Sequence, residues 1–593
     1  MSHTFHIPVL GLGYSIDTPL KVARYGISST LSIVDDELIE RMRQYHAQLN
    51  RENYVPVLKN DADARARRIT LYLDMVNRLV KRQFEELSAM SFEAGNDLCR
   101  YFEMLPEKSR LRQGYDLMLE YPEGDQKEYF RKLLKSEMTP GAIDVNIMSK
   151  VDKMNYTAGG DPTGETNTDA LAALRGFALS NLHSSVIMSA GLNPRLYSYL
   201  ETFPDFFPDE HGYFAKKVIL KVSDFRSAFI QAKFLAKKGI WVSEFRVESG
   251  LNCGGHAFAT EGFLLGPILE EFKQKRLEMA EELFQSCRQA LTEKGIACFN
   301  MPAQRLSVQG GIGTAMENEF LREHYRVDAT GWGSPFLLVP EVTNVDQETL
   351  GQLEHADESD YYISGASPLG ILFNNFRKSS AETLRLKRLE NNRPGSPCTK
   401  KYLCTNTEFT EKPICTASRE YQNLKLKQLS AAGLPLAEYE QAYQTVVEKI
   451  CLCEGLCASA YIKYDLLKPR ENKTIAICPG PNLAYFSRTY SLEEMVQHIY
   501  GATDLLAKIR RPHMFMKELS LYIEYLEHDL QSQIKELTDK KRKQLSKFKL
   551  QLQEGIGYYQ SLFTGTASQT SILLKEWFSD LANFEEKLLG IEI

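Results

Sequence analysis

The feature that most constrains the fold is a series of short apolar runs that alternate with helical patterns along the first 340 residues. Eight of these runs have the length and the residue types of β-strands. They are apolar on both faces, as strands are when helices cover both sides of a sheet. Eight such strands separated by helices predict a closed parallel α/β barrel, the TIM or (β/α)8 barrel. The predicted strands are Ile7–Leu12, Gly26–Ile33, Ile143–Met148, Ser185–Ala190, Val218–Val222, Trp241–Val247, Arg305–Gln309 and Val327–Thr330.

One connection in this series is far longer than a barrel requires. Asp35–Pro140, between the second and third predicted strands, carries apolar residues such as Ile69, Leu73 and Val76 at the three- and four-residue steps of amphipathic helices. We therefore predict an α/β barrel interrupted by helices: residues 1–34 and 141–390 form the barrel, and 35–140 a helical insertion. The turn-forming stretch Asn391–Ser396 ends the barrel. A cysteine-containing segment at 391–490 and a helical C-terminal region at 491–593 follow.

Charge and composition exclude some classes of partner. The net charge of −6 and the pI of about 6.1 argue against nucleic acid or an anionic membrane as a partner of the whole molecule. No apolar run reaches the roughly 18 residues of a membrane span. The first residues lack the basic and apolar regions of a signal peptide. The 11 cysteines, an odd number, argue against a disulfide framework. We therefore expect a cytoplasmic protein.

Two glycine-rich turns follow the last two predicted strands. Gly310, Gly311, Gly313 and Thr314 lie after the seventh strand and before a helical pattern, and Gly331-Trp332-Gly333-Ser334 follows the eighth. Backbone amides in such turns, together with a helix N-terminus, suit a phosphate group. Barrels often hold phosphate jointly with the loops after strands seven and eight. The alternative, a pair of tight turns with no ligand, stays open.

A histidine follows two glycines after the sixth predicted strand. Gly254 and Gly255 precede His256, which would lie at the catalytic end of the barrel and could titrate near neutral pH. Cys253 is either a reactive thiol or, as is more common for a cysteine, a small buried packing residue. Asn146 and Lys221 end the third and fifth strands, where they could reach a ligand in the barrel mouth. A structural histidine and satisfied polar residues are the alternatives.

The order of these motifs resembles the nitronate monooxygenase superfamily of FMN-dependent barrels, which includes enoyl reductases. The matching segments are Ile7-Pro-Val with Gly11–Ser15, Asp144-Val-Asn-Ile, Gly254-Gly-His256, Gly310–Thr314, Gly331–Ser334 with Glu341, and Gly365–Phe376. The form of the glycine loop and Leu264–Leu269 are most similar to the enoyl reductase subunit of polyunsaturated fatty acid synthases. The chain departs from the family at Asn252-Cys253, where Glu-Ala is usual, in the insertion, and in its last 200 residues or so.

The resemblance implies an FMN-dependent oxidoreductase. It places Gly11, Asn146, Lys221, Gly254, Gly255 and the two glycine loops on FMN, and His256 on the substrate. The implied reaction is reduction of an enoyl thioester, or a similar activated alkene, with NAD(P)H as electron donor, the thioester being free or on a carrier protein. Two alternatives stay open: oxidation of nitronates with O2, and a partner-binding protein that keeps the barrel as a scaffold.

The cysteines concentrate after residue 390. Cys398, Cys404 and Cys415 are followed by Cys451, Cys453, Cys457 and Cys478, in a spacing that is not a standard zinc or ferredoxin pattern. Glutamate synthases resemble this outline, with an FMN barrel followed by a three-cysteine iron–sulfur loop, although their third cysteine comes sooner. Three hypotheses for these cysteines stay open: reduced thiols without a metal, an iron–sulfur cluster, and a zinc site.

A long apolar stripe runs along the C-terminal region. Residues at helical spacing from Leu519 to Tyr559 predict some forty residues of helix, which must pack against something. The basic run Lys540–Lys543 on this helix is a solvated face or a surface for an acidic partner. We expect these helices to mediate a homo-oligomer or a multi-enzyme complex.

Overall fold

The eight predicted strands close into one parallel barrel in the computed structural model, which describes residues 2–148, 151–156, 159, 161–188, 191–257, 261–531, 537–565 and 571–593, with only the backbone of 571–573. The strands are hydrogen-bonded in chain order, and the first also pairs with the eighth, so that His6 lies beside both Ser28 and Gly331. The first predicted strand, Ile7–Leu12, overlaps the observed strand Phe5–Ile7 only at Ile7. Each of the other seven is present within a few residues of its predicted ends, except that residues 189 and 190 lie outside the described chain. The strands are β1 (Phe5–Ile7), β2 (Ser28–Ser32), β3 (Ile143–Ile147), β4 (Ser184–Met188), β5 (Lys216–Val222), β6 (Val242–Glu248), β7 (Arg305–Gln309) and β8 (Ala329–Gly331).

A buried ion cluster crosses the interior of the barrel. Arg246 on β6 lies 2.8 Å from Glu244 and 3.2 Å from Asp144 on β3. Because β3 and β6 are not neighbours in the sheet, these side chains meet in the bore. The carboxylates and the guanidinium compensate one another, as buried charges must.

Helices surround the barrel and extend it. Within the first 390 residues the described helices are α1 (Thr18–Val22), α2 (Asp36–Leu49), α3 (Ala64–Ala89), α4 (Asp97–Glu103), α5 (Arg110–Glu120), α6 (Asp125–Glu137), α7 (Asp169–Ala178), α8 (Pro194–Tyr199), α9 (Phe225–Ala236), α10 (Leu265–Glu293), α11 (Ala315–His324), α12 (Gln347–Glu354) and α13 (Ser380–Glu390). The predicted helical insertion is thus α2–α6. Its long helix α3 packs closely on α7, since a Cβ added at Gly176 would lie 2.7 Å from the Ala66 carbonyl oxygen.

A short antiparallel hairpin is formed by β9 (Tyr361–Ser364) and β10 (Phe373–Phe376), and β10 ends the segment Gly365–Phe376 that carries part of the family resemblance. The pairing places Phe373 opposite Ser364 and Phe376 opposite Tyr361. The hairpin was not predicted, because each of its strands has only four residues.

The C-terminal region is helical, as predicted, but it is not one long helix. Its described helices are α14 (Arg419–Ala431), α15 (Leu436–Val447), α16 (Leu452–Lys463), α17 (Leu492–Tyr500), α18 (Met514–Gln531), α19 (Asp539–Gly565) and α20 (Ser571–Leu589). The apolar stripe is divided between α18 and α19, which pack on each other. Leu519, Ile523, Leu552 and Ile556 are all buried within the chain itself. The partner that the stripe requires is therefore largely another part of this protein.

Candidate active site

His256 is fixed by the loop after β6 and by the β9–β10 hairpin. The His256 Nε2 atom lies 2.8 Å from the hydroxyl of Ser367, which is fully buried, and its ring meets Phe373 edge-on at 5.3 Å. The backbone on either side pairs with β10: Ala257 donates to Leu372, and Asn374 donates to Gly255. The imidazole is half-buried. This arrangement orients the ring while leaving part of it accessible to a substrate.

Asn252 organises the turn that carries the histidine. It adopts a positive φ of 39°, a region that asparagine tolerates better than most residues. Its Oδ1 accepts from the Gly254 amide at 2.8 Å and from the Asn374 side chain at 2.8 Å, and its Nδ2 donates to the His256 carbonyl at 3.0 Å. Asn252, where the sequence departs from the family pattern, thus holds the turn together with its side-chain hydrogen bonds. The sequence did not predict this role.

Cys253, beside it, is buried among the two glycine loops. A Cβ added at Gly333 would lie 2.6 Å from the Cys253 Cβ. Burial raises the pKa of the Cys253 thiol well above its usual range, and the charge of Glu248 raises it further. The geometry favours the packing interpretation over a reactive thiol.

The two glycine loops lie together at the carboxyl ends of β7 and β8. Gly310 and Gly311 have φ of 99° and 78°, and a Cβ at either would collide with Asn252 or Leu251 of the histidine loop. The loops are buried. In the part of the chain that the structure describes, four buried residues of these loops have a backbone amide without a hydrogen-bond acceptor: Gly311, Ile312, Gly333 and Ser334.

The chain itself binds other groups of these loops. The amide of Gly313 donates to the Glu317 carboxylate at 2.8 Å, and Thr314 caps α11 through its hydroxyl. The Ser334 hydroxyl accepts from the Gly480 amide at 2.7 Å and donates to the Cys253 carbonyl at 3.0 Å. Trp332 is buried, and its amide donates to the His6 carbonyl at 3.0 Å. Gly313, Trp332 and the Ser334 hydroxyl are thus already engaged.

A buried ion pair from the C-terminal region supports the first loop. Arg511 lies 2.7 Å from Glu317 of α11 and donates to the Gly311 carbonyl, and the Asn482 side chain donates to the Ile312 carbonyl at 2.8 Å. The guanidinium holds the pKa of the Glu317 carboxyl below its usual range, although burial alone would raise it. Sequence reasoning missed these residues because nothing local marks an isolated Arg or Asn as a partner of a distant loop.

The remaining predicted residues lie at or near the strand ends. Lys221 is the next-to-last residue of β5. It forms an ion pair with Glu248 of β6 at 2.7 Å, and the Gln309 side chain donates to the same carboxylate at 2.8 Å. Asn146 is half-buried near the end of β3. Gly11 has a φ of 55°, and an added Cβ would meet the Tyr14 ring. The structure therefore brings the strand-end residues to one end of the barrel, with Lys221 neutralised by a partner.

The cysteines predicted as metal candidates also approach one another. The Sγ atoms of Cys398 and Cys404 are 3.7 Å apart, and the Cys415 thiol hydrogen-bonds to Cys398. Among the described residues, no group of three or more His, Cys, Asp or Glu side chains is arranged to hold a metal ion.

Within the same residues, no helix is both long and apolar enough to span a membrane.

Comparison with known proteins finds similar folds but no sequence relatives. No protein-family model matches the chain, and no curated protein matches it. FabK from Thermotoga maritima matches with 14% identity and a TM-score of 0.30, over 69% of this chain and 86% of that one. The enoyl reductase domain of MlnA from the macrolactin biosynthesis cluster of Bacillus amyloliquefaciens has 16% identity and a TM-score of 0.33, over 69% and 87%. A nitroalkane oxidase from Streptomyces ansochromogenes has 12% identity and a TM-score of 0.30, over 65% and 86%.

These names include both enzyme classes to which the sequence resemblance points. At TM-scores of 0.29 to 0.33 the likeness itself carries no functional argument. The function is argued below from this chain's own residues.

Proposed function

We propose that the protein is an FMN-dependent oxidoreductase whose barrel mouth holds the flavin. The single observation that carries this proposal is the set of four buried backbone amides without acceptors in the loops after β7 and β8. Buried amides are nearly always paired, so four together call for an anionic acceptor. Phosphate is the anion that suits amides at this end of a barrel.

The residues present fit the phosphate of FMN with one difference from the sequence-based expectation. The amides of Gly311, Ile312, Gly333 and Ser334 would hold it, whereas the Gly313 amide already binds Glu317. Asn146 and Lys221 lie near the strand ends, where the family places the flavin ring. FMN, when bound, supplies hydride-transfer chemistry, and the protein supplies orientation and electrostatics.

The reaction we propose is reduction of an enoyl thioester, or a similar activated alkene, with NAD(P)H as electron donor. His256 would orient the substrate or donate a proton to it. The 2.8 Å contact with Ser367 and the edge-on contact with Phe373 hold the imidazole in one orientation, which a proton donor requires. The ring is half-buried, so part of its surface is accessible to a substrate.

Flavin content tests the cofactor. We expect Gly311→Ala to abolish FMN binding, because a side chain there pushes Leu251 into the loop that carries the unpartnered amides. Gly95→Ala is the matched control: its φ of 81° is close to the 78° of Gly311, but nothing lies within 4 Å of the added Cβ. FMN added to each purified protein is measured by absorbance after gel filtration. Equal FMN loading of folded Gly311→Ala and Gly95→Ala would refute the phosphate assignment.

Turnover assays separate the proposed reaction from its alternatives. NADH or NADPH oxidation that depends on an added enoyl thioester supports the reductase. Consumption of O2 with a nitronate, without NAD(P)H, would instead identify nitronate oxidation. Folded wild-type protein that binds no FMN would favour the partner-binding alternative, in which the engaged Ser334 hydroxyl and Gly313 amide reflect a closed site.

A further inference from the structure

Three cysteines meet in the loop that connects the barrel to the C-terminal helices. Cys398 is the centre of this group: its Sγ lies 3.7 Å from that of Cys404, and the thiol of Cys415 also hydrogen-bonds to it. Cys398 is half-exposed, whereas Cys404 and Cys415 are 6% and 5% exposed. Two backbone hydrogen bonds between Asn406 and Ile414 close the loop and hold its two buried cysteines near the first. One solvent-accessible thiol, that of Cys398, is therefore in contact with buried thiols.

The surroundings favour the ionised form of the accessible thiol. The thiols of Cys404 and Cys415 donate to Cys398 and lower its pKa, and the amide and charge of Lys401 lower it further. The same contacts raise the pKa of Cys404 and of Cys415. Lys153, whose ammonium donates to the Lys401 carbonyl at 3.0 Å, adds positive charge beside the loop. Thiolates, rather than thiols, are the nucleophiles in cysteine chemistry.

We propose that Cys398 and Cys404 form a redox-active dithiol that is oxidised by hydroperoxides. The Cys398 thiolate attacks one peroxide oxygen, the O–O bond breaks, and hydroxide (or alkoxide) leaves, giving a sulfenic acid on Cys398. The Cys404 thiol then attacks the Cys398 sulfur, forms the S–S bond and releases water. Two thiols are oxidised by two electrons and one hydrogen peroxide is reduced to two waters. Closure needs the sulfurs to move from 3.7 Å to about 2.05 Å.

The dithiol is connected to the candidate active site through adjacent residues. Thr416, next to Cys415, donates to the Pro368 carbonyl at 2.8 Å, and the neighbouring Ser367 holds His256. On its other side, Lys400 pairs with the buried Asp35 that follows β2. A change in the loop on oxidation can therefore shift Ser367, which orients His256. The oxidation itself does not depend on FMN binding.

Thiol reactivity of the full-length protein tests the proposal. The reduced protein is treated with one equivalent of hydrogen peroxide, alkylated and analysed by peptide mass spectrometry. We expect a linked Cys398–Cys404 peptide in the wild type and, in the double variant Cys404→Ser with Cys415→Ser, a Cys398 sulfenic acid that dimedone traps. Cys398→Ser should lose both products. At pH 7 the thiolate fraction of an ionised thiol exceeds that of an ordinary thiol by up to roughly 30-fold, so Cys398 should react faster than an unactivated cysteine.

Cys298 supplies the matched control within the same chain. It is also half-exposed, but burial raises its pKa, and no second thiol hydrogen-bonds to it. Cys298→Ser should leave the Cys398–Cys404 link and its rate unchanged. Oxidation of Cys298 as fast as Cys398 would overturn the proposal. So would stoichiometric zinc or iron in the purified protein that is lost from Cys398→Ser, since the thiols would then be metal ligands.

Discussion

The imidazole of His256 is oriented in part by a buried hydroxyl, that of Ser367. We predict that His256→Ala keeps the fold and bound flavin but lowers kcat by about 10²- to 10⁴-fold, the usual contribution of a general acid or base. Ser367→Ala should lower kcat less than His256→Ala does, because the ring loses one 2.8 Å contact but is itself still present. Steady-state kinetics with flavin quantitation measure both. An unchanged kcat, or loss of FMN in His256→Ala, would assign the histidine a different role.

Breaking the Arg511–Glu317 ion pair is predicted to destabilise the fold strongly. Both side chains are buried, with exposures of 6% and 1%. Arg511→Met should lower the free energy of unfolding by about 3–5 kcal/mol, because it leaves a buried carboxylate without its counter-charge. Chemical denaturation measures the loss. Arg510→Met, at the exposed neighbour, should change stability by less than about 0.5 kcal/mol.

A double-mutant cycle checks the cause of that loss. Adding Glu317→Gln to Arg511→Met should recover part of the stability, since the unpaired charge is then removed. Additive losses would show that the two side chains act independently.

Residue types at fixed spacing made part of the site predictable. The glycine loops and His256 stand at strand ends, where barrel topology alone fixes their side of the molecule. Arg511, Asn482 and Ser367 could not be predicted in this way. Each is a single polar residue whose partner lies far away in the sequence, and no local period records such a contact.

At the scale of elements, helix α18 carries a carboxylate that ties both ends of the histidine loop. Glu518 accepts from the Gly250 amide at 2.7 Å and from the Leu265 amide at 2.8 Å. Burial raises the pKa of Glu518 to about 7. A single side chain on a C-terminal helix thus joins the end of β6 to the start of α10.

This carboxylate should make stability depend on pH. Because the folded-state pKa is raised, folded protein keeps the proton between about pH 4.5 and 7 while the unfolded chain releases it. The free energy of unfolding should therefore fall as pH rises through that window, by about 3 kcal/mol from this group. Glu518→Gln should remove that component of the slope in denaturation curves measured from pH 4.5 to 8. Glu524→Gln, exposed on the same helix, should retain it. Equal slopes in the two variants would contradict the assignment.

The helices and strands differ in how well their sequence patterns predict them. The eight barrel strands are apolar runs bounded by turn residues, and the insertion helices have a clear period. The tail also has a helical period, but period alone does not show where a helix ends, and one predicted helix proved to be α18 and α19. The strands β9 and β10 are too short for a pattern.

At the scale of the whole molecule, the barrel and the C-terminal region form one structure. The loop after β1 packs on α16, where the Gly13 amide donates to the Leu456 carbonyl at 2.9 Å, and the other site loops bind Gly480, Asn482, Arg511 and Glu518. The predicted domain boundaries remain predictions. The contacts across them were not predictable, because they join residues at least 146 positions apart.

A chain ending at Glu390 should therefore fail to fold. It retains all eight barrel strands but lacks the helices that cover its site loops, and it exposes apolar surface that is buried in the full chain. Soluble yield and near-UV circular dichroism measure the outcome. Co-expression with a fragment of residues 391–593 should restore solubility. A soluble, cooperatively unfolding 1–390 fragment would show that the barrel is autonomous.

The covering of the site loops by residues near the C-terminus has a consequence for biosynthesis. The ribosome completes β8 and its glycine loop well before it makes Arg511 and Glu518, the partners of the loops after β7 and β6. At ordinary elongation rates this interval is roughly ten to forty seconds. During that time the loops at the barrel mouth lack these partners, so they cannot reach their final arrangement until the last helices are made.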